Sequence, residues 1–276
     1  MNDLSGRTVM VTGANTGIGR ATALALANRG AHIVMACRSA DKTAPVIGDI
    51  KARSGNDAID FLPLDLADLA SVRDAAAAFL ARDEPLHVLL NNAGVAGQRG
   101  ATAQGFELAF GTNHLGHFLL TELLLDRIRA SAPARIINVS SDSHYSPKAI
   151  DWDAVQRPTA TVTGMREYGV SKLCNVLHAQ ELAARLAGDG VVTASLHPGV
   201  IASDVWRRVP APVRAVMKLF MKSTEDGAQT SVHCVTAPDL ASGGFYTDSR
   251  QKDPSPMATP ALAAELRERS ERWAAA

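Results

Sequence analysis

Six short, mostly apolar runs punctuate the chain, separated by stretches with apolar residues at helical spacing. The runs are Thr8–Thr12, Ile33–Cys37, Ile59–Leu62, Val88–Leu90, Arg135–Val139 and Val191–Leu196. The helical stretches are Gly17–Asn28, Ala44–Arg53, Leu69–Ala81, Phe106–Arg129 and Glu167–Leu186. Strands without regular polar alternation must be covered on both faces, as in a parallel sheet. Strand followed by helix, repeated, implies right-handed crossovers and an α/β fold: a Rossmann-type doubly wound parallel sheet flanked by helices. At 276 residues with no low-complexity linker, the chain reads as a single domain. Ligands of such sheets settle beyond the carboxyl ends of the strands, where the strand order switches. Chemistry-bearing residues are therefore expected just after strands.

The first strand runs into "VTGANTGIGR", which places Gly13, Gly17 and Gly19 in a Gly-x-x-x-Gly-x-Gly spacing. Glycines let the backbone turn sharply and approach a pyrophosphate, whose charge meets the amide groups at a helix N-terminus. A tight strand-to-helix turn that binds nothing would have the same composition. The second strand ends "VMACRSAD". An acidic residue there usually holds the 2′-hydroxyl of NAD, but Cys37 and Arg38 occupy the place and Asp41 lies further on. A guanidinium suits a 2′-phosphate, which favours NADP (NADPH) over NAD; the alternative is an ordinary solvated arginine. Asp65 follows the third strand, placed to accept from an adenine amino group, unless it or Asp68 caps the next helix.

In "REYGVSKLCNVLHAQEL" Tyr168 and Lys172 are four residues apart and share a helix face. A phenol with a pKa of about 10 is a poor proton carrier at neutral pH, and a nearby positive charge favours the phenolate. An exposed pair on an ordinary helix would have the same spacing.

Taken in order, "TGANTGIG", "NNAG" at 91–94, "GTNHLGHFLL", "INVSS", "YGVSK" and "HPGV" make the chain resemble the short-chain dehydrogenase/reductase family over nearly its whole length. "TNHLGHF", "YGVSKLCNVLHAQELA" and the tail "GGFYTDSRQKDPSPMA" are similar to its retinol-dehydrogenase-like branch. The resemblance implies four catalytic residues: Asn113, Ser141 (rather than Ser140), Tyr168 and Lys172. Tyr168 would be the general acid and base, and Ser141 would hydrogen-bond the substrate oxygen. Lys172 would lower the tyrosine pKa and reach the nicotinamide ribose, while Asn113 would hold a relay water. The cofactor would contact Asn15, Thr16 and Ile18 in the glycine loop, Leu66 beside Asp65, and Asn92, Ala93 and Gly94 at the floor. Pro198, Gly199, Val200, Ile201 and Ser203 would complete its nicotinamide end. The implied reaction is hydride transfer between NADP(H) and a small hydrophobic alcohol or carbonyl substrate, in a homodimer or homotetramer paired through the two long helices. Three alternatives accompany it. Protochlorophyllide reductases share Ser-Lys-Leu-Cys-Asn, but carry a cysteine where this chain has Val200. A nucleotide-binding sensor or scaffold without turnover would usually show a broken tetrad. An epimerase or dehydratase would need a sizeable second domain after the sixth strand.

Twenty-eight basic residues balance twenty-eight acidic ones with no long basic run, which argues against a nucleic-acid partner. No apolar run is long enough for a transmembrane segment, and no charged, apolar leader precedes the first strand, so the expected location is cytoplasmic. Cys37, Cys174 and Cys234 are widely spaced and read as buried thiols, without a metal site. His114 and His117 read as packing residues on the long helix. The segment 204–222, "WRRVPAPVRAVMKLFM" at its centre, is the expected lid over a hydrophobic substrate; the alternative is an amphipathic helix that covers core or rests on a membrane surface.

Overall fold

The computed structural model describes residues 3–199 and 223–275. All six expected strands form: β1 (Thr8–Thr12), β2 (His32–Cys37), β3 (Ile59–Pro63), β4 (Val88–Asn91), β5 (Ala134–Val139) and β6 (Val191–His197). Two more, β7 (Gly244–Thr247) and β8 (Arg250–Lys252), extend the sheet to the order β3-β2-β1-β4-β5-β6-β7-β8. Every pairing is parallel except the antiparallel β7–β8 hairpin. The chain leaves β1 toward β2 on one side and returns to β4 on the other, so the switch point lies between β1 and β4.

Successive side chains of a strand point to opposite faces, and the strands feed two cores. Val9, Val11, Ile33, Met35, Leu90 and Ile137 are buried beneath α1 (Gly17–Ala27), α2 (Ala40–Ser54) and α7 (Thr224–Thr236). Met10, Val34, Leu89 and Ile136 are buried on the other face. There they meet α3 (Leu69–Leu80), α4 (Leu108–Phe110), α5 (Gly116–Ala130), α6 (Met165–Arg185) and α8 (Pro260–Ala275). The described cysteines are free and buried, as expected. No described helix is long and apolar enough to cross a membrane.

Two helices differ from the expected ones by more than a residue or two at an end. α2 begins at Ala40, four residues before the expected Ala44, because Ser39 caps it by accepting from Lys42 N; Pro45 is tolerated inside it. The expected helix Phe106–Arg129 is divided. Glu107 caps α4 by accepting from Phe110 N at 2.8 Å, and a π-helical turn, Gly111–Leu115, then leads into α5. That turn passes close to its surroundings. A Cβ on Gly111 would lie 2.2 Å from Thr102 Cγ2, and one on Gly116 would lie 2.4 Å from the Leu66 carbonyl oxygen.

The helix α8 packs along α6 and behind the π turn. Trp273 meets Phe106 and Phe110 with ring centroids 5.7 Å apart in each case, and Trp152 at 6.1 Å. Ser270 Oγ lies 2.9 Å from His114 Nε2, and Arg267 pairs with Glu181 of α6 at 3.5 Å. Replacing Trp273 with Ala should therefore lower unfolding stability by about 3 kcal/mol, the lower end for a truncated aromatic; urea titration measures it, and an unchanged midpoint would mean that α8 contributes nothing there.

Candidate active site

Gly13 ends β1 with φ of +64°, and a Cβ there would stand 2.9 Å from the Ala93 Cβ. The glycine loop thus lies against the end of β4 with no room for a side chain. Thr12 clasps the two. Its hydroxyl accepts from Asn92 N and Ala93 N, both at 2.9 Å, and its carbonyl accepts from Asn92 Nδ2 at 2.7 Å. Asn91, the last residue of β4, donates to Asn138 Oδ1 at 2.9 Å and Thr121 Oγ1 at 3.1 Å.

Between the loop and the ends of β2, β3 and β4 is a crevice of about 460 Å³. Its walls include Gly13, Asn15, Thr16, Arg38, Asp65, Leu66, Ala93 and Gly94, all of them anticipated, and Ser39, Lys42 and Thr112, which were not. Gly17, Ile18 and Gly19 form the first turn of α1, which starts without a side-chain cap. By contrast α2, α3 and α7 are capped by Ser39, Asp68 and Ser223. Asp68 is thus the cap of α3, and Asp65 is left facing the crevice, with Arg38 Nη1 4.0 Å from its Oδ2. That pair is exposed and worth little, so the guanidinium can exchange its partner for a phosphate. An uncapped helix start, a glycine turn that no Cβ would fit and two cations at the rim suit a phosphorylated dinucleotide. Pro198 and Gly199 follow β6 at the same carboxyl edge; Val200, Ile201, Ser203 and the expected lid lie outside the described residues.

The four expected catalytic residues gather beside this crevice, behind Gly94 of its wall. Tyr168 and Lys172 lie on α6, and the lysine Nζ is 5.6 Å from the phenol ring centroid. Ser141 follows β5; its hydroxyl donates to Ser143 Oγ at 3.3 Å and lies near enough to the Tyr168 phenol to lower the phenol's pKa. Ser140 is occupied elsewhere, its hydroxyl donating to the Lys172 carbonyl at 2.7 Å. Lys172 is 3% exposed and donates to the Val139 carbonyl at 2.9 Å. Gly94 admits the cluster: a Cβ there would meet Asn113 Oδ1 at 3.1 Å and Lys172 Nζ at 3.4 Å. Asn113, in the π turn, clamps Val95 by accepting from its N at 2.8 Å and donating to its O at 3.0 Å. Its Nδ2 also donates to Ser171 Oγ at 2.9 Å, and Ser171 donates to the Tyr168 carbonyl at 2.8 Å.

Burial decides the electrostatics. It pushes the Tyr168 phenol above its ordinary value, with the nearby Ser141 hydroxyl opposing, and pushes Lys172 down to about 7. The expected lowering of the tyrosine by the lysine is therefore not the dominant effect in this arrangement, because the ammonium is itself destabilised by leaving water.

Two histidines support the cluster, and their spacing in sequence gave little sign of it. His144 is buried; its Nδ1 lies 2.7 Å from the Ser141 carbonyl, and its Nε2 lies 3.1 Å from Ser255 N. His117, expected only to pack, also makes polar contacts: Nδ1 is 3.0 Å from the Asn113 carbonyl, and Nε2 is 2.8 Å from Thr12 Oγ1. Among the described residues no group of side chains forms a metal site.

A parallel sheet, a glycine-lined crevice at its switch point and a tyrosine, lysine and serine grouped beside it recur in known proteins. Residues 7–151 match the model of the short chain dehydrogenase family, to which the chain belongs. It is an oxidoreductase, and its likeness is to the retinol dehydrogenases. Retinol dehydrogenase 12 of Mus musculus is 44% identical over 90% of this chain and 79% of that protein. An uncharacterized protein from Mycobacterium Paratuberculosis superposes with a TM-score of 0.78 at 31% identity, covering 99% of this chain and 95% of that one. The RhlG/NADP active-site complex of Pseudomonas aeruginosa gives 0.71 at 25% identity, over 88% and 94% of the two chains.

The buried lysine sets a pH dependence. Burial lowers Lys172 from its ordinary 10.5 to about 7. Between these values the unfolded chain holds a proton that the folded one lacks, so stability rises with pH; below about 7 both forms are protonated and the burial cost is full. Lys172→Met should melt several degrees above wild type at pH 6, with the gap closing toward pH 10. Parallel melting curves across that range would show that Lys172 keeps its charge when buried.

Proposed function

We propose that the protein is an NADP(H)-dependent oxidoreductase moving a hydride between the nicotinamide and a hydrophobic alcohol or carbonyl compound, with Tyr168 as general acid and base. The observation that carries this reading is the grouping of Tyr168, Lys172 and Ser141 beside Gly94 of the crevice wall. When bound, the cofactor supplies or accepts the hydride. The chain handles the proton and the developing charge. Burial keeps the Tyr168 phenol protonated at neutral pH, poised to donate to an alkoxide as a carbonyl is reduced. In the reverse direction the phenolate must form, and a protonated Lys172 favours it. Ser141 holds the substrate oxygen and stabilises charge growing on it. Asn113 holds Val95 and Ser171, and through them the floor and the turn of α6 that carries Tyr168.

Preference for NADP over NAD rests on Arg38 and Lys42 at the rim, where an NAD site would carry a carboxylate on the 2′-hydroxyl. The NADP complex of RhlG is consistent with it, and the retinol dehydrogenases among the relatives support a large apolar alcohol or aldehyde as substrate. A cytoplasmic location and a homodimer or homotetramer belong to the same proposal. Any pairing through α5 and α6 must accommodate α8, which lies along α6.

Tyr168→Phe should abolish NADPH oxidation against a panel of apolar aldehydes and ketones while leaving NADPH affinity nearly unchanged; a variant that still turns over would remove Tyr168 from the chemistry. Arg38→Asp should move the kcat/KM ratio from NADPH toward NADH by about tenfold or more, the worth of a lost charge-assisted contact. An unchanged ratio would assign the 2′ position to another group.

A further inference from the structure

We propose that His117 is a positioning residue that ties the floor of the cofactor crevice to the turn bearing Asn113. The inference rests on the cofactor site described above and concerns a side chain that would touch neither cofactor nor substrate. His117 is 2% exposed, on the first turn of α5. A carbonyl oxygen cannot donate, so the contact of Nδ1 with the Asn113 carbonyl requires the proton on Nδ1. In the neutral ring Nε2 is then a lone pair, and the Thr12 hydroxyl at 2.8 Å must donate to it. The other acceptor near that hydroxyl, the Leu90 carbonyl, is farther away at 3.5 Å.

This completes Thr12. Its oxygen accepts from Asn92 N and Ala93 N and gives its one proton to His117. A hydroxyl with two acceptances and one donation has no freedom to rotate. The direction of those two amides, and hence the backbone of Asn92–Gly94, follows from it. At its other end the imidazole satisfies the carbonyl of Asn113 in the π turn, where the ordinary i→i+4 ladder is offset. One neutral ring therefore links the end of β1, the end of β4 and the π turn. Burial, with Lys172 as a minor contributor, lowers the His117 pKa to about 4, which keeps the ring in this form across neutral pH.

The two arms can be cut separately, because Asn places its amide near the imidazole Nδ1 and Gln places its own near Nε2. His117→Asn retains a donor for Asn113 but loses Thr12; His117→Gln retains an acceptor for Thr12 but loses Asn113. For His117→Asn the expected result is NADPH binding, read by fluorescence, weakened about tenfold with kcat largely kept. For His117→Gln it is kcat lowered about tenfold with NADPH affinity kept, each being the effect of one buried polar group left unmatched. A merely structural histidine would move both parameters together with the melting temperature, and that outcome, or two variants equal to wild type, overturns the inference. Imidazole ¹⁵N spectra of the wild-type protein test it without any variant: an Nδ1–H tautomer unchanged from pH 5.5 to 8 is expected, and an Nε2–H tautomer or an imidazolium overturns it. A wild-type protein that binds NADPH while the variants fail to divide sinks only this inference; one that binds neither NADPH nor NADH sinks the proposed function with it.

Discussion

A lysine taken out of water is the constraint around which the site is built. An ammonium buried without partners would cost more than a fold can spare, so Lys172 must find an acceptor, and it finds the Val139 carbonyl at the end of β5. That demand places the middle of α6 directly over the sheet's carboxyl edge. It also requires an open space beside the nitrogen, which Gly94 provides by having no side chain. Asn175 donates to the same carbonyl at 3.0 Å, fixing the acceptor from a second side. Tyr168 and Ser141 then fall into place because they sit one turn away on α6 and two residues beyond Val139.

Much of this architecture was legible in the amino-acid pattern. Strands β1 to β6 announce themselves because parallel strands buried twice over need apolar residues at successive positions. The residues of the crevice could be read from the rule that loops after such strands carry ligands, and Gly13, Asp65, Gly94 and Ser141 lie there. Other parts were hidden for physical reasons. The sheet edge β8 consists of Arg250, Gln251 and Lys252, all exposed, and has no hydrophobic signal. The helix α7 buries Gly227, Ala228, Thr230 and Ser231 over its first two turns and has larger buried apolar residues, Val232, Cys234 and Val235, only toward its end. In α8 the buried residues are only Ala263, Leu266, Ser270 and Ala274, thin against its many charges. The π turn was invisible because a helix with one wide turn has almost the same periodicity as a straight one.

The histidines illustrate a different limit. His114, His117, His144 and His178 are all buried, and burial holds each below its ordinary pKa. A neutral imidazole is a side chain with one donor and one acceptor on a rigid ring, able to bridge two backbone or hydroxyl groups that face each other across a gap. Which groups those are depends on tertiary contacts: His144 reaches Ser255 across 111 positions, and His117 reaches Thr12 across 105. Spacing along a helix tells that such a ring points inward. It does not tell what the ring holds.

The docking of α8 behind the π turn has a temporal side. His114 meets Ser270 across 156 positions, and Trp273 closes over Phe106 and Phe110. On a ribosome, the turn bearing Asn113 leaves the exit tunnel long before the helix that backs it. Contacts of such sequence separation form late and slow the search for the native state. A nascent chain can therefore assemble its dinucleotide-facing half early, while the wall behind Asn113 stays open and apolar until α8 has emerged.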